Sequence, residues 1–100
     1  MSRDAAHRYL VAYDISDDAR RTRIANHLGS FGDRVQFSVF VIDGRPAKLV
    51  RLRRSLQRLI DPGSDSVILC DLGPLAGDLE RRFEVIGVAR SITDQHVLVF

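Results

Sequence analysis

One hundred residues with 45% hydrophobic and 28% charged side chains have an ordinary globular composition, enough for one hydrophobic core and too short for two, so residues 1–100 are expected to form a single domain. The formal net charge is +2, the isoelectric point is about 9.2, and every basic residue except Lys48 is arginine; this permits a nucleic-acid partner, whose phosphates suit guanidinium forks, without requiring one, because a GC-rich genome also favours arginine. The lone Cys70 excludes an internal disulfide and reads as a buried core thiol in a reduced setting, the scattered His7, His27 and His96 lack cysteine partners for a zinc site, and no apolar run approaches the roughly 18 residues that span a bilayer, so a cytoplasmic protein is expected.

The first element is a strand over residues 8–13, RYLVAY, whose nearly continuous apolar run predicts a central strand covered on both faces. Ser16 offers an N-cap to a helix that carries Asp17 and Asp18 in its first turn and Ile24, Leu28 and Phe31 at helical spacing, with Gly29 and Gly32 closing it. Residues 34–42, RVQFSVFVI, alternate as one long strand or as two short ones joined by a bend. Asp43 and Gly44 read as a turn, and Pro46 suits the first turn of a second helix on which Leu49, Leu52, Leu56 and Leu59 recur at spacings of three and four. Asp61, Pro62 and Gly63 end that helix before a strand over 65–72. A polar region, RRFEVIG and a terminal HVLVF strand follow.

Strand, helix, strand region, helix and strand in so short a chain predict an α+β fold, a ferredoxin-like antiparallel sheet with two helices on one face and an extra C-terminal strand. Two helices leave the other face open. An apolar first strand then calls for a second cover, most simply another copy of the chain, and the terminal VLVF suits pairing with a sheet edge. A homodimer is expected.

Asp14 stands where this apolar strand ends. A partly desolvated carboxylate there needs hydrogen bonds, a cation or a metal. Capping of the next helix or pairing with Arg21 or Arg23 would meet that need. In a dimer, two copies of Asp14 facing each other would instead share a divalent cation, Mg²⁺ or Mn²⁺, whose water ligands can be aimed at a phosphodiester. The arginines extend this second reading. Arg45, Lys48, Arg51, Arg53, Arg54 and Arg58 occur between Gly44 and Ile60 with no acid among them. Lys48, Arg51, Arg54 and Arg58 share one helical stripe, which reads as a phosphate track or as a solvated polar face.

The segment YLVAYDISDDARRTRIANHLGSFGDRVQFSVFVID, with RLRRSLQRLIDPGSDSVILCDL and FEVIG after it, resembles the CRISPR-associated protein 2 family. The shared features are a strand ending in Tyr-Asp, an arginine-bearing helix and a VQ-aromatic-SVF strand. The resemblance implies a ferredoxin-like homodimer that works in spacer acquisition, bridging copies of the CRISPR-associated protein 1 integrase and holding duplex DNA, and in many members a metal-dependent nuclease on RNA or double-stranded DNA. Asp14 matches the family's metal-binding acid and Tyr13 its aromatic neighbour; Arg21, Arg23, Arg34, Ser38 and Phe40 match positions tied to activity or substrate handling. The expected chemistry is phosphodiester hydrolysis by water on a cation held by Asp14 of both subunits, with Arg21 and Arg23 stabilising charge on the phosphate. Tyr13 and Phe40 also fit core positions. The competing expectation is a non-catalytic dimer that presents duplex DNA to the integrase. A ligand-sensing regulatory dimer is a third, for which the sequence offers no ligand loop.

Overall fold

The computed structural model describes residues 5–76 and 82–88. Strand β1 (His7–Asp14) is followed by helix α1 (Asp18–Gly29), strands β2 (Asp33–Gln36) and β3 (Val39–Gly44), helix α2 (Pro46–Leu59) and strand β4 (Ser66–Pro74). The sheet order is β2-β3-β1-β4, and every neighbouring pair is antiparallel. This is the expected ferredoxin-like α+β arrangement, with β1 central.

The residues explain each boundary. Asp17, not Ser16, caps α1: its carboxylate accepts the Arg20 amide at 2.8 Å, and Asp18 adds charge in the first turn. The helix continues through Gly29 to a Ser30 cap. Gly32 then lies so close to β3 that an added Cβ would collide with the Val41 carbonyl oxygen, so only glycine permits this approach. The long run after it resolves into two strands with Phe37 and Ser38 at the bend, and Asp43 and Gly44 extend β3 instead of forming the turn. Pro46 opens α2, whose buried Leu52, Ser55 and Leu56 face inward.

The core lies between the sheet and both helices. Val11, Tyr13, Phe40 and Ile42 from the strands meet Ile24 and Leu28 of α1 and Leu52 and Leu56 of α2, with Val67 and Leu69 of β4 packed against them. Between the helices, Ser55 donates to the Leu52 carbonyl at 2.9 Å, so the His27 Nε2, 2.6 Å from the same hydroxyl, is the donor to it.

The opposite sheet face is uncovered within the single chain, as two helices on one side leave it. β1 is buried only on its helix side, at Tyr9, Val11 and Tyr13, while Leu10 and Ala12 are half-buried and Asp14 is exposed. Strand register aligns Val41, Leu10 and Cys70 across the sheet, and Val39, Ala12 and Ile68 beside them. Ile68 is 60% exposed and Cys70 is exposed rather than a core thiol, because strand alternation sends it outward from β4. At one end of this apolar face Arg8 clasps Asp43 through two hydrogen bonds of 2.7 and 2.8 Å; at the other end stands Asp14. The expected terminal strand HVLVF lies outside the described residues. In the segment 82–88, Val85, Ile86 and Val88 are exposed. Among the described residues no helix is long and apolar enough to cross a membrane.

Candidate functional site

Consecutive strand residues point to opposite faces, and the end of β1 uses this to serve two surfaces. Tyr13 turns toward the helices and Asp14 toward the open face. Asp14 sits opposite Ser66 of β4, and a small hollow of about 130 Å³ beside it is lined by Ala12, Tyr13, Ser66 and Ile68. The carboxylate has no hydrogen-bond or ion-pair partner among the described residues. It therefore neither caps α1, a role taken by Asp17, nor pairs with Arg21 or Arg23.

On the helix side, a cleft of about 350 Å³ opens between α1 and the β2–β3 bend. Tyr13, Arg21, Arg34 and Ser38 line it together with Thr22, Ala25, Asn26 and Phe37. Four of the candidate residues thus converge, and the lining holds no carboxylate. The Tyr13 hydroxyl donates to the Phe37 carbonyl at 2.9 Å, the Arg34 Nε donates to the same carbonyl at 3.1 Å, and the Arg34 Nη2 donates to the Tyr13 hydroxyl at 3.3 Å. The Ser38 carbonyl accepts the Tyr13 amide at 3.1 Å, prolonging the β1–β3 pairing. The Arg34 guanidinium lies 5.3 Å from the Phe40 ring centroid and 5.8 Å from that of Phe37, within cation–π range. Phe40 itself is 2% exposed and stacks on Tyr13. It is a core ring that supports Arg34 from beneath rather than a surface that substrate can touch.

The α1 arginines separate. Arg21 is held by the Ile15 and Ser16 carbonyls, at 3.0 and 3.3 Å, and by Asp18, which aims its guanidinium across the loop that follows β1. Arg23 lies two residues on, about 200° around the helix, and is exposed outside the cleft. Arg20, to which the sequence assigned no role, ties α1 to the α2–β4 loop through Asp65, whose side chain is fully buried. The hydrogen bond from Arg20 holds the Asp65 carboxyl below the usual carboxylate range.

On α2, Arg51, Arg54 and Arg58 are exposed opposite the buried leucines, as the stripe predicts. Lys48 leaves the stripe. It is half-buried, packs its stem against Gly44 and donates its ammonium to the Asp43 carbonyl at 2.9 Å. The basic track is therefore three arginines long.

The donor set bears on a metal. Among the described residues no three His, Cys, Asp or Glu side chains group together. Asp14 offers two free carboxylate oxygens, which suits a cation that retains most of its waters and takes one or two carboxylates, provided a second carboxylate or a substrate oxygen joins it. The residue that sequence reasoning missed is Phe37, 76% exposed at the bend. The alternation of residues 34–42 sets it on one strand face with Val35 and Val39 and gives it no role of its own. Phe37 is the aromatic of the VQ-aromatic-SVF strand that carries the family resemblance, and that motif was the signal available.

A family model described as CRISPR associated protein Cas2 matches residues 7–74. The chain is 46% identical over 80 residues to the CRISPR-associated endonuclease Cas2 2 of Thermus thermophilus, covering 80% of this chain and 81% of that protein. It is 32% identical over 96 residues to the CRISPR-associated endoribonuclease Cas2 1 of Rhodospirillum rubrum, covering 96% and 93%. A chain of the structure titled Partial Cas6-RT-Cas1--Cas2 complex shares the fold, with a TM-score of 0.62 at 22% identity over 80% of this chain and 90% of that one.

Proposed function

Because the chain belongs to the CRISPR associated protein Cas2 family, we propose that it is a CRISPR-associated endonuclease of the spacer-acquisition machinery, hydrolysing phosphodiesters of RNA or double-stranded DNA as a homodimer with Mg²⁺ or Mn²⁺. The observation that carries this reading is Asp14, a carboxylate without a partner among the described residues, at the end of the central strand and on the rim of an uncovered apolar face. Asp14 of each copy would hold the cation; when bound, the cation supplies Lewis-acid polarisation of water and phosphate. The face bearing Leu10, Ala12, Val39, Val41 and Ile68 supports the dimer, since a second copy laid on it would remove apolar surface from water and bring the two Asp14 side chains toward one axis. Arg23, exposed on α1 outside the cleft, would be available to a phosphate oxygen. Arg21, oriented by Asp18 and the loop carbonyls, would contribute positive potential beside it. Arg51, Arg54 and Arg58 would hold the nucleic-acid backbone irrespective of sequence.

The experiment incubates wild type and Asp14→Ala with labelled RNA and short duplex DNA, with Mg²⁺ or with chelator, after light scattering establishes the mass of each. Metal-dependent cleavage by wild type alone is the expected result; equal cleavage by the variant, with contaminating nuclease excluded, refutes it. A second reading is favoured by the exposed arginines of α2, Arg51, Arg54 and Arg58, together with the absence of any group of three metal-ligating side chains among the described residues: a non-catalytic dimer that presents duplex DNA to the Cas1 integrase. The Cas1–Cas2 complex that shares the fold supports the partner. Acquisition that survives Asp14→Ala but fails on charge reversal of Arg51, Arg54 and Arg58 would select this reading.

A further inference from the structure

The exposed ring of Phe37 is not a stray surface hydrophobe. Its backbone is pinned, since the Tyr13 hydroxyl and the Arg34 Nε both donate to its carbonyl. Its ring ends a stack that begins in the core: Tyr13 lies on Phe40, the Arg34 guanidinium covers Phe40 at 5.3 Å, and the same guanidinium lies 5.8 Å from Phe37. Burial falls along this stack from Phe40, 2% exposed, to Phe37, 76% exposed. The ring therefore stands in solvent on a backbone that is held in place, beside the Arg34 guanidinium, and an aromatic side chain has few torsions to immobilise on binding.

The surroundings select the ligand. The cleft beside the ring is lined by two guanidinium groups, Arg34 and the Asp18-paired Arg21, and by the hydrogen-bonding side chains of Thr22, Asn26 and Ser38, with no carboxylate in the lining itself. An aromatic platform next to cations and neutral donors matches an unstacked base flanked by phosphates. An apolar protein segment would leave those polar groups unmatched. Resting on the reading of the chain as a nucleic-acid-binding protein, we propose that Phe37 is a stacking platform for an unpaired nucleobase, whose flanking phosphate faces Arg21 and Arg34, so that the cleft engages single-stranded segments or opened ends that the α2 arginines do not distinguish from duplex. Bases inside an intact duplex are already stacked on one another and cannot reach the ring.

The test measures, in chelator to prevent cleavage, the affinity of wild type, Phe37→Ala and Phe37→Trp for a single-stranded DNA, a single-stranded RNA and a blunt duplex of equal length. One base of each single strand is replaced by 2-aminopurine, whose fluorescence is quenched on stacking. Loss of one base–aromatic stack predicts that Phe37→Ala binds single strands about 5- to 150-fold more weakly, without the quenching, while its duplex affinity is unchanged. Phe37→Trp should restore both signals. Wild-type affinity and quenching in Phe37→Ala overturn the platform while leaving the nucleic-acid reading intact. Wild type that binds neither form overturns both. Equal losses on single strand and duplex, or a change in the mass of the protein by light scattering, assign the ring to folding or to a protein contact and also overturn the proposal.

Discussion

The basic face of α2 makes a quantitative prediction about salt. Arg51, Arg54 and Arg58 are exposed on one side of the helix, spread over about 10 Å of its length at 1.5 Å per residue. Each phosphate they neutralise adds about 0.9 to the slope of log affinity against log salt for duplex DNA. Replacing all three with alanine should therefore lower the slope by about 2.7 per protomer engaged, so that between about 50 and 200 mM salt the gap between wild type and variant narrows by about 40-fold. Lys48 enters the count differently. Its ammonium is bound to the Asp43 carbonyl, so Lys48→Ala should move the slope by less than about 0.9. Fluorescence anisotropy of a labelled duplex at four or more salt concentrations reads both quantities, and circular dichroism checks that folding is unchanged, as expected for exposed positions. A triple variant whose slope falls by less than one contact, or a Lys48 variant whose slope falls by a full one, would refute the track as described.

The two glycines at the end of α1 should respond oppositely to alanine: Gly32→Ala meets the Val41 carbonyl and Ile42 and should cost about 1–3 kcal/mol, while Gly29→Ala meets nothing within 4 Å inside a helix and should gain up to about 1 kcal/mol; urea titrations of both variants decide it. Burial, assisted by the charge of Arg58, pushes the His27 imidazole below its ordinary value of 6.5, so the unfolded chain takes up the proton first and stability should fall as pH drops below about 6.5. Thermal melting between about pH 7.5 and 5.5 should show that fall in wild type and less of it in His27→Gln; equal falls would remove His27 as its cause. The Asp65 carboxyl, lowered by Arg20, contributes stability that is present above its ordinary value of 3.8 and is lost as pH falls below it. Asp65→Asn should therefore be less stable at neutral pH and lose less on acidification, and an unchanged acid profile would sink that assignment.

The fold was legible because each element carries its own period. The Leu49, Leu52, Leu56 and Leu59 series, the Pro46 start and the alternation of β1 need no tertiary information. What escaped was decided by neighbours distant in sequence. Residues 34–42 bend at Phe37 because Tyr13 and Arg34 capture its carbonyl, which local alternation cannot foresee. Cys70 looked buried because it lies in an apolar run; its exposure follows from the face that β4 turns away from the helices. Lys48 has the spacing of the arginine stripe, yet it sits close enough to the end of β3 to reach back to it, and a flexible ammonium makes that local bond readily. Asp14 stood out at the end of an apolar strand, with Arg21 just beyond it, and Arg34 was found through resemblance to a family, whereas their separation onto two faces of the sheet comes from the alternation of Tyr13 and Asp14. Ser16 and Asp17 are both good caps, and composition alone did not rank them.

The exposed Cys70 has a practical consequence. It is the chain's sole thiol, and it stands level with Leu10 near the middle of the uncovered sheet face. Covering that face with a second copy would hide the sulfur from reagents in solution. The rate at which native protein is alkylated should then fall as protein concentration rises, and the concentration at half the limiting rate would give the dissociation constant of the pair. The unmodified chain thus carries a chemical gauge of its own self-association, read by mass spectrometry from a single site.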